Sequence, residues 1–191
     1  MSDTDVAARE RLLAAAADLF YREGIRATGT DAVSRAADVS KPTMYRAFRT
    51  KETLSLAYLA QRRESFWAQW NKLVGLHDTL QDQLLAVIDY LADRTTTPGY
   101  RGCPFMNCAI EFPDADSPLH QSAVSMKREI HDRLSLMCTD LHPQPTTLAD
   151  ELFLLIEGAY AAAHTLGGAS GPAKSLSRAA RTLLAYSSAS V

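Results

Sequence analysis

An all-α fold is predicted by three observations. Apolar residues recur every three or four positions through almost the whole chain, as on helices that bury one face. No segment shows the strict alternation of a half-buried strand. Gly, Pro and Ser/Thr cluster where one apolar stripe ends and the next begins, which is where helices stop and start.

The first helix is expected over 7–23, where Leu12, Ala16, Leu19 and Phe20 form one stripe and Asp3, Thr4 or Asp5 can cap the start. Gly24 is a natural stop, with Ile25 folding back on the stripe. Thr30 can cap a short second helix by accepting a backbone N–H of its first turn, and Val33, Ala36 and Ala37 follow at helical spacing. The Ala36–Ala37 pair is small enough for two helices to approach closely. After a turn at Val39, Ser40 caps a third helix with Pro42 in its first turn, where the missing N–H is not needed. Met44 and Phe48, four apart, face inward and leave Lys41, Thr43, Tyr45 and Arg46 outside.

Thr50 opens a long helix to about residue 74, with Glu52 suiting its N-terminal dipole and Trp67, Trp70 and Val74 along one side. No flexible linker intervenes, so a continuous rod joins the first part of the chain to the rest. Leu80, Leu84, Val87, Ile88 and Leu91 mark the next helix, ended by Thr95-Thr96-Thr97-Pro98-Gly99. A short helix over 104–112 stops at Pro113. Ser117-Pro118 restarts the chain, and Leu119, Ala123, Met126, Ile130, Leu134, Met137 and Leu141 continue the stripe to His142-Pro143. Thr146 or Thr147 opens a helix to about residue 166, the glycines at 167, 168 and 171 break it, and a last helix covers 173–186. Leu148, Leu152, Leu155, Ile156, Ala159 and Ala163, with Leu176, Ala180, Leu183 and Leu184, make wide faces rich in small residues. These are expected to join two copies of the chain into a homodimer through residues 147–187.

The second and third helices carry the clearest functional signal. Two short helices at a fixed angle let the second lie in the DNA major groove while the first braces on the backbone. Lys and Arg neutralise phosphates or reach guanine edges, Thr suits phosphate or thymine, and Tyr donates to a phosphate oxygen. Charge is distributed accordingly: residues 1–63 hold 11 Lys and Arg against 8 Asp and Glu, a net of +3, and the remainder 9 against 14, a net of −5. A helix-turn-helix DNA-binding domain is therefore expected over residues 1–50 and a helical effector-binding and dimerisation domain over 51–191. The alternative is a helical protein-interaction module whose basic face docks an acidic partner.

The sequence resembles the TetR family of bacterial transcriptional regulators. The resemblance runs from Arg9 to about Leu59. It rests on Leu19-Phe20-Tyr21-Arg22-Glu23-Gly24, the Thr30 start, Val39-Ser40-Lys41-Pro42-Thr43-Met44-Tyr45, and Phe48 followed by Lys51-Glu52. The segment Gly102-Cys103-Pro104-Phe105-Met106-Asn107, with Glu111-Phe112-Pro113, looks like one that recurs in a branch of such regulators. The resemblance implies a nine-helix protomer, a dimer through the last two helices and a ligand pocket in the C-terminal domain. It also implies DNA contacts by Thr30, Lys41, Thr43, Tyr45 and Lys51, with Pro42 shaping the helix start. Ala47 departs from the pattern where relatives carry His or Tyr, and Arg46 or Arg49 can supply that phosphate contact. The function so implied is a ligand-responsive homodimeric repressor on a palindromic double-stranded operator.

Enzyme signatures are missing from the sequence: it has no P-loop, no nucleophile elbow and no His-Glu-x-x-His. Cys103, Cys108 and His120 match no standard zinc spacing, and neither a metal nor a cofactor is expected. The three cysteines do not form a disulfide framework, and Cys103 and Cys108 read as structural thiols. No stretch nears the ~20 apolar residues that span a bilayer, and a cytoplasmic location is expected. Aromatic and polar residues on otherwise apolar helices, namely Trp67, Trp70, Phe105, Asn107, Tyr160 and His164, are the candidates for a small-molecule effector pocket.

Overall fold

The computed structural model describes residues 3–169 and 171–188, and these form nine α-helices with no strand. They are α1 (Asp3–Glu23), α2 (Thr30–Ala36), α3 (Lys41–Ala47), α4 (Lys51–Val74), α5 (Leu80–Thr96), α6 (Pro104–Glu111), α7 (Pro118–Cys138), α8 (Pro145–Leu166) and α9 (Leu176–Ser188). The chain divides into two compact units. The first takes in the chain as far as Glu64 and Pro104–Met126, and the second takes Ser65–Cys103 and everything from Lys127 onward.

In the first unit, α1 buries Leu12, Ala16 and Phe20, and the Phe20 and Tyr58 rings meet edge to face with centroids 5.6 Å apart. Because α1 begins at Asp3, residues Asp3, Thr4 and Asp5 lie inside the helix, and its capping position falls outside the described residues. Thr30 does not cap α2. Gly29 takes that position in extended conformation, and its carbonyl accepts from the amides of Ala32 and Val33. Of the alanine pair, Ala37 is buried and Ala36 faces out. The turn reverses at Asp38, whose φ of 51° is in the left-handed region that Asp tolerates better than most residues.

Ser40 caps α3 as the sequence predicts, accepting from the Thr43 amide. Thr50 and Thr53 cap the start of α4 reciprocally: each hydroxyl accepts from the other's amide, at 3.1 and 3.2 Å.

In the second unit, α5 buries Leu84, Val87, Ile88 and Leu91 and is capped by Thr79. Three boundaries differ from expectation. A turn over 139–141 ends α7 at Cys138 and leaves Leu141 only half-buried. Pro145 occupies the first turn of α8, so neither Thr146 nor Thr147 caps it. A 3-10 turn over Pro172–Ser175 precedes α9, which starts at Leu176.

Of the residues offered above for dimerisation, Leu148, Leu152, Ile156, Ala159 and Ala163, with Leu176, Ala180 and Leu184, are buried within the single chain, and Leu155 and Leu183 are half-buried. Helix α8 is apolar on more than one side, and the side it leaves outside carries Leu154 and Leu166, 70% and 65% exposed.

Candidate nucleic-acid interface and effector region

Helix α3 is held from below and presented from above. Met44 is fully buried, Phe48 at its C-terminal end is nearly so, and the Arg9 guanidinium lies 4.8 Å over the Phe48 ring. With that side fixed, Lys41, Pro42, Tyr45 and Arg46 are exposed and Thr43 is half-exposed. The Ser40 and Thr43 hydroxyls are 2.9 Å apart, and Arg46 donates through Nη2 to Thr43 Oγ1 at 3.0 Å. This chain sets the direction of the Arg46 fork before any ligand arrives. Thr30 Oγ1 lies 3.5 Å from Tyr45 Oη, so the start of α2 joins the same face.

Two candidate cations are engaged within the protein. Lys41 pairs with Asp31 at 2.8 Å, and that hydrogen-bonded carboxylate raises the pKa of the ammonium. The adjoining cleft, about 730 Å³ and lined in part by Asp31, Arg35, Asp38 and Lys41, mixes both signs. Lys51 donates to the Arg26 carbonyl at 3.0 Å, and burial lowers its pKa despite the nearby Glu111 carboxylate. Glu111 in turn accepts from the Arg26 amide at 2.7 Å, and its carboxylate lies against Gly24, whose φ of 93° is in the left-handed region. In the sequence Glu111 stands only as part of the recurring segment; its tie to Arg26 is not legible there because the partner is 85 residues away and no local spacing announces it.

The effector candidates are dispersed. Trp67 and Trp70 meet edge to face at 5.4 Å in the second unit, with Arg133 lying 4.9 Å from the Trp67 ring. Tyr160 is buried in that unit, whereas His164, one turn further along α8, is exposed. Phe105 is buried and Asn107 half-buried on α6, in the first unit.

Among the described residues no three His, Cys, Asp or Glu are grouped to hold a metal. His120 instead bonds the Phe112 carbonyl at 2.8 Å, and Cys108 donates to the Leu119 carbonyl. The Asp116 amide donates to Asp114, forming a turn.

All three cysteines are free and buried. Burial pushes the Cys108 thiol up to about 12 and the Cys138 thiol to about 11, against a usual 9.0. Thiolate is the reactive form, and burial disfavours it at both. In native protein at pH 8, Cys108 and Cys138 are expected to react with a disulfide reagent such as DTNB at least about tenfold more slowly than in urea-unfolded protein, an order-of-magnitude figure for suppressed thiolate. Equal rates would contradict this. Because both folded values lie above the unfolded one, the stabilisation holds below pH 9.0 and is lost as pH rises toward 11 and 12. The urea midpoint should fall over that window.

Comparison with known proteins matches this geometry. Residues 12–58 match the family model for bacterial regulatory proteins of the tetR family, and residues 81–183 match that for the tetracyclin repressor-like C-terminal domain. The chain is 28% identical over 156 residues to the HTH-type transcriptional regulator YjdC of Escherichia coli, covering 78% of this chain and 80% of that protein. It is 33% identical over 104 residues to the HTH-type transcriptional regulator QacR of Staphylococcus aureus, covering 54% of this chain and 53% of QacR. The crystal structure of SCO4454, a TetR-family transcriptional regulator from Streptomyces coelicolor, superposes with a TM-score of 0.88 at 30% identity, covering 96% of this chain and 97% of that one. These matches do not favour the protein-interaction module. Matched at both ends of its length, the chain belongs to the TetR family of DNA-binding transcriptional regulators, which are not enzymes and which bind operator DNA and small-molecule effectors and dimerise.

Proposed function

We propose that this protein is a ligand-responsive homodimeric repressor that docks α3 of each protomer in successive major grooves of a palindromic operator. The observation that carries this reading is the outward set Lys41, Thr43, Tyr45 and Arg46 on a helix pinned by Met44 and Phe48. Thr30 and Lys51 complete the phosphate-facing rim, and Pro42 fixes the start of α3. Residues 1–50 then read DNA, and 51–191 bind effector and dimerise. The small, exposed stripe Leu154, Gly158 and Ala161 on α8 is suited to meeting its counterpart in a second copy. The proposed operator calls for a cytoplasmic location; no described helix is long and apolar enough to cross a membrane.

The effector contacts proposed are Trp67, Trp70, Phe105, Asn107, Tyr160 and His164. Effector binding would tilt α4, which runs unbroken from Lys51 to Val74, and so change the separation of the two recognition helices. A coupling of ~1–3 kcal/mol is sufficient to shift operator affinity severalfold or more. An effector that released DNA with that separation and its mobility unchanged would rule tilting out.

Selection of the purified protein on random double-stranded DNA at near-physiological salt tests the whole reading. An enriched palindrome with half-sites about one helical turn or more apart is expected. Weak, salt-sensitive binding without enrichment would overturn it. On the selected operator, Lys51→Ala should lower the slope of log affinity against log salt by about 1. An unchanged slope would leave Lys51 to its Arg26 carbonyl alone.

A further inference from the structure

The last turn of α5 carries an arginine in an unusual setting. Arg94 is half-buried, and Nη1 donates to Tyr90 Oη at 3.3 Å, with the guanidinium carbon 5.9 Å from the Tyr90 ring centroid. Among the described residues no carboxylate comes within salt-bridge reach of it. Of the two acids in the second half of α5, Asp89 is paired with Arg181 and Asp93 is exposed. The remaining neighbours that sense its charge are the phenols of Tyr100 and Tyr160. Tyr160 is buried on α8, and its ring and that of Tyr100 lie 6.4 Å apart at an angle of 40°. Lys127, on α7, places its ammonium 5.1 Å from the Tyr160 ring and pairs with Glu157. All these groups belong to the second unit.

Apart from the exposed Asp93, these groups include three cations and two carboxylates; the carboxylates are paired with Arg181 and Lys127, and the unmatched charge is on Arg94. A guanidinium drawn out of water is normally matched by an anion, because loss of hydration is otherwise uncompensated. A phenol oxygen offers one weak acceptor to a group with five donors arranged to grip a planar anion. The C-terminal dipole of α5 attracts a cation but does not require a partly buried one. What the site lacks is a carboxylate, and the rings of Tyr100 and Tyr160, tilted 40° to each other, offer aromatic surface in the same unit.

We propose that the second unit binds a small aromatic carboxylate, its carboxylate gripped by Arg94 and its ring lying against Tyr100 and Tyr160. This rests on the reading of the chain beyond residue 50 as effector-binding, and gives the effector its chemical class.

The test is calorimetric titration of the full-length protein with benzoate and cinnamate, set against neutral benzamide and cationic benzylamine. At least one carboxylate should bind, with benzamide tenfold or more weaker and benzylamine silent. Arg94→Gln should weaken carboxylate binding tenfold or more, and Arg94→Lys, which keeps the charge without the fork, should fall between. Both variants should retain the circular dichroism and operator affinity of the parent, since the DNA-facing helices belong to the other unit. Binding of neither carboxylate, equal binding of acid and amide, or unchanged carboxylate binding in a folded Arg94→Gln would each overturn the proposal. Loss of sequence-specific DNA binding in the parent protein would instead count against the repressor reading and leave the anion result standing by itself.

Discussion

Gly168→Ala is expected to destabilise the protein by about 3 kcal/mol or more, lowering the thermal midpoint by ~6–12 °C. The chain leaves α8 at Leu166, and Gly167 adopts a φ of 81°. Gly168 then comes down on the C-terminal end of α5. A Cβ there would stand 1.7 Å from the Thr95 carbonyl oxygen and 2.9 Å from the Thr96 Cα. Both obstacles are backbone, so no side chain can swing aside to make room. Thr95 is itself fully buried, with its hydroxyl donating to the Ala92 carbonyl at 2.7 Å, and α5 is packed along its length by Leu84, Ile88 and Leu91. The strain must therefore move the connection between α8 and α9 away from α5. Urea denaturation of the parent and variant measures the loss. A change of under about 1 kcal/mol would mean that the close approach is not part of the folded protein.

Arg46→Ala is expected to cost about 1–3 kcal/mol of operator binding, roughly 5- to 150-fold, and to relax base preference at one position in each half-site. The prediction comes from the hydrogen-bonded chain on α3. Ser40 meets Thr43, and Thr43 accepts from Arg46, so the guanidinium is oriented from a helix that cannot rotate about its buried Met44. A pre-oriented fork loses less entropy when it grips a guanine edge than a freely moving Lys would. Thr43→Val keeps the shape but removes the hydroxyl, and should give a smaller loss at the same base position. Competition binding on operators mutated one base pair at a time distinguishes the outcomes. A uniform loss with unchanged preference would assign Arg46 to phosphate, and no loss would remove it from the interface.

The legible parts of the site are those built by short-range chemistry. Ser40, Pro42, Met44 and Phe48 lie within nine consecutive residues, and each acts on its own helix or the turn beside it. Cap, first-turn proline and inward pair could thus be placed by spacing alone, and the outward set followed. Thr30 shows the limit of that approach, since Gly29, with no side chain, supplies the extended cap conformation and a carbonyl for the first turn. Effector candidates were harder because aromatic residues on amphipathic helices pack in the same way whether or not a ligand is near. His164, a candidate from the sequence, is exposed, whereas Arg94, half-buried with its guanidinium on the Tyr90 phenol, is not among the candidates.

By itself the sequence determined the helices, most of their ends, the helix-turn-helix and the residues that α3 turns outward. Each of these depends on interactions spanning about one to two helical turns, and such interactions are written in consecutive residues. Only the tertiary structure decided which side of α8 is interior. That helix is apolar nearly all round, so periodicity cannot choose between Leu152, fully buried, and Leu154, 70% exposed. It also decided that Glu111 ties α6 to the Arg26 amide, that Gly168 touches α5, and that Arg94, Tyr100, Tyr160 and Lys127 share one environment. Most of these contacts join residues tens of positions apart, and their partners are chosen by packing geometry, which no local pattern encodes.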